Sequence, residues 1–206
     1  MSGAHSDSSP GADLVELAVG PALWERAFAV APLVLVATKE GAGHDVAPKH
    51  MALPLGWDPF YAFVCSPSHA TYRNAASHGF FTVSFPRAEQ ILQSSLAGGG
   101  RLATGAKPSL TAVPTIPARV VEGCLVAGCA FYLECELERL VDGFGPSSLV
   151  VGRVVAAAAA PDALRGADVD DADLVHELGL IAYLAPGRFA VVRDSHAFPY
   201  TSDFRR

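Results

Sequence analysis

Two short stretches of the chain gather side chains able to hold or polarise another molecule. In Ser66-Pro67-Ser68-His69-Ala70-Thr71-Tyr72-Arg73-Asn74, hydroxyls at Ser66, Ser68 and Thr71 stand beside His69 and Arg73 where a helix is predicted to begin. A helix start offers free backbone N–H groups and the positive end of its dipole, which together favour an anion. Short hydroxyl side chains can complete a phosphate cradle there without steric cost. The commoner use of such residues is local, with Thr71 capping the helix and the serines shaping turns. The second stretch is Ala47-Pro48-Lys49-His50-Met51-Ala52, whose Lys, His and Met follow a predicted strand. Side chains leaving a sheet at that point can meet a ligand. On a continuing strand Lys49 and His50 face opposite ways, so only one need face a pocket. An exposed edge guarded by lysine is the local alternative.

Other reactive residue types form no pattern. Cys65, Cys124, Cys129 and Cys135 lack the paired CxxC spacing of zinc sites, and the seven histidines are scattered. Asp168-Val169-Asp170-Asp171-Ala172-Asp173 has neither the central glycine nor the closing glutamate of a calcium loop. It reads as acidic residues at a helix N-terminus. Ser94-Ser95 and Ser147-Ser148 carry no flanking nucleophile-elbow glycines. Gly98-Gly99-Gly100 follows no strand, which makes it a flexible hinge and not a dinucleotide fingerprint.

The elements that must position these residues are mostly short strands. Leu33–Thr38 is β-rich and turns at Gly41–Asp45 into Val46–Met51; Phe60–Ser66 and Phe80–Phe85 are further strands, each closed by proline. Between them Thr71–His78 is a short helix with Gly79 at its C′ position. Pro21 opens a short leading helix, Ala88–Leu96 is helical, and Ala97–Leu110 is a long Gly-rich functional loop. From Phe131 to Arg139 apolar residues alternate with Tyr132, Glu134, Glu136 and Glu138, predicting a strand whose acidic face is wet. Ser148–Ala156 is its antiparallel partner across Asp142–Gly145, with a helix at Asp170–Leu178 and a strand at Arg188–Val192. Without a regular βαβ alternation, this order predicts a small antiparallel barrel decorated by helices.

Composition narrows the class. Of 206 residues half are apolar and eleven are Phe, which excludes a disordered chain. Twenty-one acids against fifteen bases exclude an electrostatic grip on bulk nucleic acid. The longest apolar run, Leu149–Ala160, is broken by Gly152 and Arg153 and falls short of the roughly 18–20 residues that span a bilayer. Residues 1–13 read as a disordered lead-in and residues 14–206 as one domain of a cytoplasmic protein.

The order and spacing of these pieces resemble the flavin reductase-like family, whose fold is the FMN-binding split barrel. The resemblance is carried by Leu33–Thr38, Val46–Met51, Pro67–Ala75, Gly79–Pro86, Leu133–Glu136 and Leu149–Val154, and it spans about Leu33 to Ala157. It implies a mainly β, Greek-key-type antiparallel barrel with a few short helices. It places Lys49, His50, Met51 and Ala52 beside an isoalloxazine ring. It implies a phosphate site at Ser66, Ser68, His69, Thr71 and Asn74, with Lys107 contributed by the long loop. FMN or FAD would be the flavin, NADH or NADPH the electron donor, and the chain a homodimer reducing flavin by hydride transfer to N5. Two departures stand out: relatives often carry a small hydroxyl residue at Lys49 or His50, and a histidine where this chain has Ser147-Ser148. A flavin carrier without catalysis is therefore the first rival, and a barrel for an apolar ligand the second.

Overall fold

The computed structural model describes residues 14–200, so the lead-in expected at residues 1–13 lies outside the described residues. The strands are β1 (Ala29–Pro32), β2 (Val34–Glu40), β3 (Gly43–Lys49), β4 (Ala52–Pro54), β5 (Phe60–Cys65), β6 (Phe80–Phe85), β7 (Thr115–Pro117) and β8 (Cys124–Val126). They continue with β9 (Phe131–Phe144), β10 (Ser147–Ala159), β11 (Leu180–Ala185) and β12 (Arg188–Val192). The α-helices are α1 (Ala70–His78), α2 (Ile91–Ala97) and α3 (Asp171–Leu178). Pro21–Glu25 forms only a 3-10 turn, and Ala88–Gln90 is a second such turn leading into α2.

Seven strands form one curled antiparallel sheet in the order β3-β2-β6-β9-β10-β5-β4. A three-stranded sheet (β1-β11-β12) and the β7-β8 hairpin complete the β structure. The central strand β2 shows why its sequence is continuously apolar. Val34 and Val36 pack on one side with Phe63, Phe81 and Val83, while Leu35 and Ala37 pack on the other with Val46, Ala97 and Val126. Both faces are covered, so both parities must be hydrophobic.

Close packing at the sheet centre depends on one residue without a side chain. A Cβ on Gly152 of β10 would stand 2.5 Å from the Phe81 ring and 2.8 Å from the Cys135 Cβ. Elsewhere the pairing shortens two expected turns. Glu40 already pairs with Gly43, so the first hairpin closes at Gly41-Ala42 and leaves His44 and Asp45 inside β3. Phe144 likewise pairs with Ser147, which keeps Asp142 and Gly143 inside β9.

The wet acidic face expected on β9 is only partly real. Glu134 is buried and its carboxylate accepts hydrogen bonds from the backbone N–H groups of Arg119, Val120 and Val121, at 2.7 to 3.0 Å. Satisfying three otherwise orphaned amides is the physical reason an acid sits inside the fold at this position. No helix among the described residues is long and apolar enough to cross a membrane.

Candidate functional site

The hydroxyl-rich bend turns the chain from β5 into α1. Its N-cap is His69, with extended backbone and no side-chain capping bond, so Thr71 is not the cap expected from sequence. Thr71 instead lies inside the first turn, 2% exposed, where its side chain bonds to no described group and lines an open cleft of about 560 Å³. First-turn amides without a capping side chain remain available to an anion. At the other end Gly79 adopts φ 76° and donates to the Ala75 carbonyl at 2.9 Å, a left-handed stop that glycine takes without strain.

The serines both shape the bend and rim the space. Ser66 Oγ lies 2.8 Å from Ser68 Oγ and accepts from the Ser68 N–H at 3.3 Å. The Arg73 guanidinium donates to the Ser68 carbonyl, which holds this cation at the cleft wall. Asn74 points elsewhere: its Nδ2 donates to Thr38 Oγ1 at 3.2 Å and fastens α1 to β2.

The facing wall comes from β3 and the long loop. Lys107 Nζ donates to Asp45 Oδ1 at 3.1 Å and to the Val46 carbonyl at 2.6 Å, leaving one of its N–H bonds uncommitted. Arg101 reaches the same Asp45 oxygen at 3.0 Å, and donates to Glu40 at 3.0 Å and the Gly105 carbonyl at 2.7 Å. Two cations here meet two carboxylates. No carboxylate among the described residues pairs with Lys49 or Arg73, so the excess positive charge lies toward α1. Two glycines of the triglycine are closely packed, while Gly100 faces open space. A Cβ on Gly98 would come 3.2 Å from Pro48, and one on Gly99 would come 2.4 Å from Ser109 Oγ.

A second cleft of about 300 Å³ lies beside the first, and the two share Pro48, Lys49 and His69 as walls. His50, Met51, Ser66 and Ser147 line this smaller cleft. Lys49 and His50 both face it because β3 ends at Lys49, so strand alternation no longer separates them. Ala52 does not reach the cleft; it is buried in β4 opposite Phe63 and backs the rim from within. Lys49 Nζ donates to Cys65 Sγ at 3.5 Å and lies 6.0 Å from the centre of the Phe63 ring. The His50 ring stacks on Tyr183 of β11 with centroids 4.3 Å apart. Burial, then the neighbouring Lys49 charge, hold the His50 imidazole below its ordinary pKa, so at pH 7 it is neutral.

A carboxylate ties the two sides of the site together. Tyr72 OH and Ser148 Oγ both donate to Asp142 Oδ1, at 3.0 and 2.6 Å, which links α1 to the β9–β10 hairpin whose first β10 residue, Ser147, rims the smaller cleft. Sequence reading missed Asp45, Arg101 and Cys65 as site residues. Asp45 was hidden in an expected turn, Arg101 lies in a loop without periodicity, and Cys65 reads as an ordinary strand residue. Among the described residues no group of His, Cys, Asp and Glu is arranged to hold a metal ion.

Comparison with known proteins agrees with this architecture. A search of curated proteins finds no match. Among solved structures, flavoredoxin from Methanosarcina acetivorans superposes with a TM-score of 0.76 at 15% identity, covering 93% of this chain and 97% of that one. The NADH:FAD oxidoreductase of Streptomyces globisporus C-1027 gives 0.68 at 17% identity, covering 89% and 99%. An FMN-binding protein from Thermus thermophilus gives 0.70 at 18%, covering 89% and 98%. At such identities the likeness establishes the split-barrel fold. The family model described as "flavin reductase like domain" matches residues 27–178, and the chain belongs to that family.

Proposed function

We propose that this flavin-binding oxidoreductase takes FMN, with FAD as the alternative, in the two adjacent clefts and reduces it with NADH or NADPH. The observation that carries the reading is the junction at Lys49 and His69. These shared walls set a bend suited to an anion next to a rim suited to a planar ring.

The residues present fit such a group. Thr71 offers a hydroxyl unclaimed by the protein, beside first-turn amides, and the excess positive charge of Arg73 and Lys49 lies on the same side. Ser66, Ser68, His69 and Thr71 would hold the phosphate, with Lys107 reaching from the opposite wall through its uncommitted N–H. Asn74 would contribute by anchoring α1 and not by contact. Lys49, His50 and Met51 would border the ring, with Ala52 behind them. When bound, flavin supplies the hydride-accepting chemistry, and the protein contributes placement and electrostatics. With His50 neutral, the Lys49 ammonium is the cation at the rim. It would stabilise negative charge developing on a reduced ring. Stacked rings, held in register with water disfavoured, are the remaining requirement. The relative from Streptomyces globisporus, named as an NADH:FAD oxidoreductase, supports a nicotinamide donor for this chain.

One feature favours a non-catalytic flavin carrier as the second reading: Ser147-Ser148 stands where the family resemblance implies a histidine, and Ser147 lines the smaller cleft. Titration of the purified protein with FMN tests the site, and a spectrum unchanged by FMN refutes it. Anaerobic mixing with NADH or NADPH then separates the readings. Rapid bleaching of the bound flavin supports the reductase, while a stable oxidised spectrum supports the carrier.

A further inference from the structure

Both walls of the larger cleft are fastened to one rung of the β2–β3 ladder. Thr38 and Asp45 are cross-strand partners, and both are buried. Thr38 Oγ1 accepts from Asn74 Nδ2 at 3.2 Å, which seats α1 and its first turn on the rung. Asp45 Oδ1 accepts from Lys107 Nζ at 3.1 Å and from Arg101 at 3.0 Å, which seats the long loop on it. The two cations depend on Asp45 to different degrees. Arg101 is also held by Glu40 and the Gly105 carbonyl, whereas Asp45 is the only carboxylate that Lys107 meets among the described residues. The side chains of Lys107 and Asp45 are 8% and 4% exposed. An ammonium withdrawn this far from water needs its counter-charge close by.

We propose that Asp45 is the positioning residue of the phosphate site and acts through Lys107. Its carboxylate and the Val46 carbonyl take two of the three ammonium N–H bonds, which leaves the third for a phosphate monoester in the cleft that Lys107 lines. A lysine stem without these anchors spreads its charge over many rotamers. Held by them, the ammonium has less freedom to lose when a ligand arrives. A carboxylate in an anion site would by itself repel the ligand. Here Arg101 shares the same Asp45 oxygen, and with Glu40 and Lys107 the four charges sum to zero, so the repulsion is offset where it arises. Asp45 therefore aids an anion although it carries the anion's sign. This role rests on the flavin site proposed above.

FMN and riboflavin are titrated into the wild-type protein, Asp45→Asn, Lys107→Met and the double variant. Asp45→Asn keeps the side-chain volume and removes the charge. It is expected to lower the ratio of FMN to riboflavin affinity by about tenfold, although a negative charge has left the site. Lys107→Met should lower the ratio at least as far, and adding Asp45→Asn to it should lower it further by no more than about twofold. A ratio that rises in Asp45→Asn means that repulsion governs, and overturns the proposal. Losses that multiply in the double variant put the effect of Asp45 outside Lys107, and equal losses for both ligands make it general damage; either result overturns the proposal too. An unchanged ratio in Lys107→Met does so even where Asp45→Asn fails to fold. In each of these cases wild-type protein that binds FMN leaves the functional reading standing. Wild-type protein that binds neither flavin sinks that reading, and the role of Asp45 with it.

Discussion

Thr71 is almost wholly enclosed and yet lines the larger cleft. It is 2% exposed, sits in the first turn of α1 and spends its hydroxyl on nothing in the protein. A charge-assisted bond to a phosphate ester would give it a use, and Thr71→Val tests that while keeping the side-chain shape. The substitution is expected to weaken FMN binding by about 1–3 kcal/mol and to leave riboflavin binding unchanged. Isothermal titration with both ligands checks this, and equal losses would mean damage to the helix instead. Lys49 is tested differently, because its role is electrostatic. With His50 held neutral by burial, Lys49→Met should lower the reduction potential of bound flavin, measured by dye-coupled titration. An unchanged potential removes Lys49 from that role. At this scale residues that are neighbours in sequence, from Ser66 to Thr71, also meet around the two clefts. Asp45 and Arg101 were not legible as neighbours, since they meet only through the register of β2 on β3 and the path of the long loop. Nor did residue type alone show that Asn74 spends its amide on Thr38.

Strands rich in β-branched and aromatic residues were readable because packing and pattern agree. Phe80–Phe85 and Arg188–Val192 form over the expected residues. β4, β7 and β8 were not foreseen, since three residues hold too little pattern to outvote their neighbours. β1 (Ala-Val-Ala-Pro) exists only because β11 pairs with it, a contact between distant parts of the chain. On β9 the alternation named the strand correctly but misjudged Glu134, because periodicity cannot foresee three amides arriving from another segment. Gly152 is the element-scale counterpart of that lesson. It reads as an interruption of an apolar run, yet it is what lets β10 lie against Phe81 and Cys135. Gly152→Ala forces a Cβ into the space of a buried ring and should cost about 1–3 kcal/mol in urea unfolding. Ser147 begins β10, so the same variant should also loosen flavin binding if the sheet shifts along the strand. Unaltered stability would mean that Phe81 has room to move.

For the molecule as a whole, the decisive feature is an apolar rim left open beside the site. The sheet ends at β4, a three-residue edge strand, and Met51, Leu53 and Trp57 around it are 51%, 48% and 91% exposed. Exposed edges and clustered large apolar side chains are costly to leave in water. The same rim borders the smaller cleft through Met51, so a second copy of the chain laid there would cover the edge and deepen the flavin site at once. Dimerisation and flavin binding should then be linked, each strengthening the other. Sedimentation of the wild-type protein should give twice 21.5 kDa, and the dimer should tighten when FMN is added. Leu53→Glu places a charge on the rim without touching the phosphate bend. It should shift the chain toward monomer and weaken FMN binding by about tenfold, a cost of about 1.4 kcal/mol. If the charged variant is monomeric and still binds FMN as tightly as the wild type, the site is complete within one chain. Riboflavin separates the two halves of the site: coverage of the ring by a partner predicts that Leu53→Glu weakens riboflavin and FMN alike, the opposite of the pattern expected for Thr71→Val.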